Sequence, residues 1–267
     1  MLRSRTLGLM SELEFLGAVH VELLRHRELR PGHPDHELFQ TSTVEALVAG
    51  AFDGDTTLGE VLEHGDLGLG TLDGLDGELI VLDGEPWKAN LDCTLIRPDR
   101  GSITPYAVVV PFTPGPPIAL AGPLDGAGLE ACLRDRTGTP QGPTAIRIDG
   151  RFDRVQVRSV PKQHHPYPPL AEAIAHQQTS ELTDAVGTMV GFLFPDALDG
   201  IEMLGVHLHL VTDDRSRGGH VLGFTLREGT AKLDGAAELH VELPPAVTAP
   251  RHGAQLDQAA IRRLETS

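Results

Sequence analysis

A chain of 267 residues with 40% hydrophobic content is long enough to bury a substantial core, as one large domain or two small ones. Its 22 basic against 38 acidic residues leave a formal charge of -16, which opposes binding to nucleic acid or an anionic membrane and excludes a phosphate-tracking role. No apolar run approaches the ~18 residues of a membrane helix, and the stretch nearest to one, 107–121, is broken by Pro111, Pro114, Pro116 and Pro117. Arg3 and Arg5 resemble the start of a signal peptide, but Glu12 and Glu14 interrupt the segment behind them, so the start reads as uncleaved. Cys93 and Cys132 form neither a CxxC nor a framework, and as two reduced thiols they suit a cytoplasmic protein.

Residues 1–36 read as a polar extension of helical character, turning at Arg30-Pro31-Gly32-His33-Pro34. Ser42 to Phe52 opens with Ser42 and Glu45 at capping-box spacing and predicts a short amphipathic helix; Thr57 to His64 predicts a second. Gly65 to Gly77 carries five glycines among alternating Leu and Asp, too flexible for a helix and too glycine-rich for a regular sheet, and reads as a shaped loop. Glu78 to Asp83 and Glu85 to Leu91 flank Gly84 as the arms of a hairpin, Tyr106 to Phe112 is a strand, and Gly126 to Arg136 a helix. A further hairpin is expected around Gly150, from Thr144 to Asp149 and from Phe152 to Val160, with Phe152, Arg154, Gln156 and Arg158 on one face and Val155 and Val157 on the other. Leu170 to Gln178 reads as a helix, Thr188 to Phe194 and His240 to Leu243 as strands, and Asp257 to Glu265 as a closing helix. The expected fold class is therefore α+β, with two α/β-type subdomains built on mixed and antiparallel sheets. The expected division is an extension 1–36, an N-terminal α/β domain 37–160 and a C-terminal metal-binding domain 161–267.

The chemistry is carried by Val206-His207-Leu208-His209-Leu210-Val211 and, after a polar turn, Gly218-Gly219-His220-Val221. Alternation along a strand puts His207 and His209 on one face and Val206, Leu208 and Leu210 on the other. A hairpin across the turn brings His220 opposite the pair, giving three neutral nitrogen ligands on a C-terminal β-hairpin. A catalytic zinc site uses that number and keeps a position open for water or substrate. His164-His165-Pro166 lies in the Pro-rich run 161–169 and reads as exposed connector, and the other histidines stand singly in polar or helical contexts. There is no G-x-x-x-x-G-K-[ST], no G-x-S-x-G and no H-E-x-x-H. Gly68 and Gly70 lack the third glycine of a dinucleotide fingerprint, and neither Asp53-Gly54-Asp55 nor Asp73 to Asp76 continues into a calcium loop.

Taken together, the runs LFQTST (38–43), FDGDTT (52–57), GDLGLGTLDGLDGEL (65–79), AIRIDG (145–150), GTMVGF (187–192) and HLHLVTDDRSRGGHV (207–221) resemble acetolactate decarboxylase, in the expected order and over roughly residues 37–267. The resemblance implies a zinc enzyme, commonly a homodimer of two α/β domains, that converts 2-acetolactate to (R)-acetoin and carbon dioxide. It implies His207, His209 and His220 as Zn2+ ligands, Glu78 as the active-site glutamate near the metal and Arg158 as the active-site arginine. It implies Glu265 as the functional glutamate of the tail, with Asp257 a lesser substitute in a tail that is shortened relative to the family. The chemistry suits the residues: losing carbon dioxide leaves a carbanion that delocalises onto the neighbouring ketone as an enediolate, whose oxyanion charge a metal stabilises by several kcal/mol. Guanidinium keeps its charge at ordinary pH, so Arg158 is expected to bind carboxylate or enediolate, and a carboxyl group to donate the proton. Two other readings use the same histidines: a cupin-like metal enzyme taking an acidic ligand from Asp213 or Asp214, and a non-catalytic zinc module.

Overall fold

The computed structural model describes residues 20–25, 36–137 and 142–243. Fifteen strands run in chain order: β1 His20–Arg25, β2 Glu37–Thr41, β3 Thr56–Thr57, β4 Leu67–Thr71, β5 Glu78–Leu82, β6 Glu85–Ala89, β7 Leu95–Ile96, β8 Ile103–Thr104, β9 Tyr106–Val110, β10 Ile118–Leu124, β11 Thr144–Ser159, β12 Gln178–Phe194, β13 Gly205–Thr212, β14 Gly218–Gly235 and β15 Glu238–Leu243. Helices are few among the described residues: α1 Val44–Val48, α2 Leu58–Val61, α3 Gly126–Thr137 and α4 Leu170–Ile174. No helix among the described residues is long and apolar enough to cross a membrane.

Two sheets carry the molecule. The first has the order β1-β15-β2-β9-β4-β5-β6-β7 and is mixed, because β15 runs parallel to both β1 and β2 while the remaining pairs are antiparallel. The second has the order β10-β14-β11-β12-β13 and is antiparallel, and β13 also bonds β14, so that β14, β11, β12 and β13 close on themselves. Leu69, Ile80, Leu82, Val108 and Val110 of the first sheet share a core with Val190, Phe192, Phe194 and Val211 of the second. A separate core fills the closed sheet, where Ile146, Ile148, Met189, Leu208, Leu210 and Phe224 meet Leu129 and Leu133 of α3. β13 thus shows two faces: Leu208 and Leu210 point into the closed sheet, while Val211 belongs to the core between the sheets.

Several expectations need correction. Within the extension read as helical, residues 20–25 form β1 at the edge of the first sheet. The segment 65–77 read as a loop contains β4, a fully buried central strand. Its glycines are needed for close approach: a Cβ on Gly68 would lie 2.2 Å from the Val108 carbonyl oxygen, so bare backbone is what lets β9 pack there. No turn occurs at Gly150, which lies mid-strand in β11 with Gly187 and Gly229 opposite it on its two sides. A register shift against β14 between Phe152 and Arg154 brings Phe152 into the same core as Val155 and Val157. The cap of α1 is Thr43, not Ser42, whose φ is 63°. α2 carries the full capping box, Thr57 with Glu60. The helix expected to Gln178 ends at Ile174, and the strand expected at His240 to Leu243 forms within β15 of the first sheet. The helix expected at Asp257 to Glu265 lies outside the described residues. Cys93 and Cys132 are free thiols, and burial pushes the Cys93 thiol up to about 11.

Candidate active site

The histidine hairpin forms with His209 directly opposite His220, and β11 sets Arg158 opposite His220 from the other side. Gly219, at φ 145°, sits where a Cβ would come 2.5 Å from the Arg158 carbonyl oxygen, so glycine is required for β14 to close on β11 at this point. His207, His209 and His220 are all buried, with ring centroids 4.9 to 5.3 Å apart. One ligand nitrogen from each lies within 4.8 Å of the others. His207 Nε2 and His220 Nδ1 are 3.1 Å apart.

The first sheet contributes across the interface. His209 Nδ1 is 2.8 Å from the carbonyl oxygen of Leu79 in β5, so the Nδ1 proton is donated there and the Nε2 lone pair is left for another partner. That Nε2 is buried and has no hydrogen bond, as a ligand nitrogen awaiting an ion would. Burial, and then the charge of Arg158, drive the His207 imidazole down to about 3. Burial first, then His207 and Arg158, hold His209 well below its ordinary value, against the opposing pull of the Leu79 carbonyl. Both rings are therefore neutral at pH 7, the form that ligates metal. Three converging neutral imidazoles, one with its tautomer fixed by a backbone carbonyl, fit a metal ion.

Glu78 begins β5 and reaches the same place. Arg158 Nη1 donates to Glu78 Oε1 at 3.2 Å, and Glu78 Oε2 lies 3.7 Å from His209 Nε2. Both side chains are buried. Desolvating such a pair is costly, so a buried ion pair set beside three buried histidines marks this cleft as the candidate site. The five residues line one pocket, with an apolar wall that includes Leu47, Leu75, Val160 and Ile174.

The structure thus brings together His207, His209, His220, Glu78 and Arg158, while Glu265 and Asp257 lie outside the described residues. Asp213 and Asp214, the acidic ligands a cupin-like site would need, are exposed in the turn; Asp214 bonds Thr212 and Ser216, and neither joins the metal-capable group. His164 and His165 are exposed in the connector, where His165 Nε2 meets Asp53 Oδ1 at 3.1 Å. Two features were missed in the sequence. The Leu79 carbonyl is a backbone group with no residue signature, and Tyr106 and Glu202, which meet at the pocket wall, stand 96 positions apart.

Comparison with known proteins agrees with this architecture. The sequence model of the alpha-acetolactate decarboxylase family matches residues 38–255. The alpha-acetolactate decarboxylase of Methylococcus capsulatus is 39% identical over 213 residues, covering 80% of this chain and 82% of that protein. Its Bacillus subtilis counterpart is 35% identical over 224 residues, 84% and 87% of the two chains. The crystal structure of alpha-acetolactate decarboxylase from Bacillus subtilis superposes with a TM-score of 0.80 at 34% identity, over 86% of this chain and all (100%) of that one, and has the same predominance of sheet over helix. On these matches, the chain belongs to the alpha-acetolactate decarboxylase family of carboxy-lyases.

Proposed function

We propose that this chain decarboxylates 2-acetolactate to (R)-acetoin and carbon dioxide, using Zn2+ held by His207, His209 and His220 on the C-terminal hairpin. The observation that carries the reading is the convergence of three buried histidines with the Glu78–Arg158 pair in one pocket of a chain of this family. Zinc suits three neutral imidazoles and, when bound, supplies a Lewis acid and template for adjacent hydroxyl and ketone oxygens.

The chain's own residues supply the rest. Arg158, buried beside the histidines, holds the carboxylate of the incoming substrate and the negative charge left on its oxygens after carbon dioxide departs. Glu78 accepts from Arg158 and holds the guanidinium beside the histidines. The apolar wall excludes water, which strengthens both interactions and protects the carbanion from early protonation. Glu265 is retained as the carboxyl that delivers the final proton, and a homodimer as the assembly.

The test is acetoin formation from racemic acetolactate, with and without chelator. Acetoin should form, stop when chelator removes the metal and return on adding zinc, while circular dichroism stays unchanged. Purified protein that forms no acetoin with zinc restored sinks the reading. Undiminished turnover after complete metal removal would overturn the metal's part in it.

A further inference from the structure

Beyond the five residues already described, one residue of the pocket wall belongs to a second polar pair. Tyr106 opens β9 and lines the same pocket as the histidines, Glu78 and Arg158. Its hydroxyl lies 2.6 Å from Glu202 Oε2, and the Met203 N–H reaches that same oxygen at 3.3 Å. Glu202 is wholly buried (0% exposed), and among the described residues its other oxygen, Oε1, has no hydrogen-bond partner and no cationic side chain pairs with it. A carboxylate left in that setting is costly, whereas a neutral acid is not. The surroundings are apolar: Met203 packs on Val44 and Val48 of α1, and Gln40 of β2 spends its amide on the Ser42 and Ile201 carbonyls. Asp199, on the same loop, is exposed. Among the described residues, Tyr106 is the titratable side chain that bonds Glu202, and the titratable groups sharing Tyr106's pocket are Glu78, Arg158 and the three histidines.

We propose that Tyr106, aligned by Glu202, is a further substrate-binding residue of this pocket, donating its phenolic O–H to an anionic oxygen of the substrate. The inference rests on the decarboxylase reading and deepens it. A 2.6 Å contact between two oxygens is satisfied whichever of them donates. While Glu202 is a neutral acid, its own O–H donates to the phenol oxygen, and the phenolic O–H is directed to an acceptor other than Glu202. Once Glu202 ionises, the phenol must donate to the carboxylate, and the pocket then meets phenol lone pairs backed by a buried negative charge. An anionic substrate is held in the first state and repelled in the second. Burial holds the Glu202 carboxyl up to about 8, against the lowering effect of its two hydrogen bonds, so the first state prevails at neutral pH.

The test uses zinc-loaded protein and the unreactive analogue 2,3-dihydroxy-2-methylbutanoate, with affinity measured by calorimetry and kcat/KM measured on acetolactate. Tyr106→Phe should weaken analogue binding about tenfold or more at pH 6.5 with metal content unchanged, the loss expected of one hydrogen bond to a charged group. Wild-type affinity should fall as pH rises through about 8. Glu202→Gln, whose amide donates to the phenol at every pH, should abolish that fall, with a smaller loss at neutral pH than Tyr106→Phe. Should the Gln variant not fold, the comparison moves to Tyr106→Phe at pH 6.5 and 9, where the alkaline weakening should be absent. Analogue affinity within twofold of wild type in Tyr106→Phe overturns the proposal, as does an alkaline fall that persists in Glu202→Gln. Wild-type protein that forms no acetoin overturns the decarboxylase reading instead, so the two failures are distinguishable.

Discussion

At the scale of single residues, the site depends on groups held where water would not leave them. Arg158 and Glu78 are both buried and bonded at 3.2 Å. Arg158→Lys keeps the charge but loses the planar fork that can hold Glu78 and an anionic oxygen together. It should lower kcat/KM by about 10- to 100-fold, the loss of one charged hydrogen bond, with zinc content unchanged by elemental analysis; unchanged kinetics would return Arg158 to a structural role. Glu202 carries a stability signature of its own. Its folded-state value is raised from 4.5 to about 8, so its contribution to stability is fully present below 4.5 and is lost as pH rises through about 8. Glu202→Gln removes that dependence. Relative to wild type, its urea midpoint should improve steadily between pH 4.5 and 8 and level off above, and a constant difference across that range would contradict a buried neutral acid. The histidine triad was legible in the sequence because strand alternation alone forces His207 and His209 to one face. The partners that orient it were not, since the Leu79 carbonyl is backbone and Glu202 reaches Tyr106 only after two distant segments fold together.

At the scale of elements, short helices and hairpins were legible where local chemistry decides them. The helix read from Thr57 and the Gly84 turn both form, the helix with a Thr57–Glu60 capping box that sequence spacing places instead at Ser42 and Glu45. Glycine was the source of the larger misreadings, because its composition signals flexibility while its use here is close approach. β4 carries Gly68 and Gly70 in the middle of the first sheet, and β11 passes through Gly150 without turning. Local sequence cannot tell these cases apart; the neighbour that comes within 2.2 Å of a would-be Cβ belongs to a strand some 40 residues away, a separation set by the topology. Gly68→Ala should therefore cost about 3 kcal/mol by urea denaturation, as overpacking against a fixed backbone does, whereas Thr57→Ala should cost about 1 kcal/mol, the loss of one cap. Equal losses would mean that β4 tolerates a side chain and that its glycines serve another purpose.

At the scale of the whole molecule, the site lies where the two sheets meet. The closed second sheet contributes the histidines and Arg158, and the first sheet contributes Glu78 and the Leu79 carbonyl that fixes His209. Neither sheet holds the full set, so packing of the two sheets and assembly of the site are one event, with the shared core of Ile80, Val108, Phe192 and Val211 joining them. The central claim is that this junction binds one catalytic metal ion through His207, His209 and His220. The most direct measurement is metal content by elemental analysis, read beside acetoin formation, in wild type and in His209→Ala, the variant whose lost ring leaves a small buried gap and no new charge. The account predicts about one equivalent of zinc and active turnover in wild type, with neither zinc nor acetoin in a folded His209→Ala. A folded His209→Ala that kept a full equivalent of zinc and its turnover would contradict it.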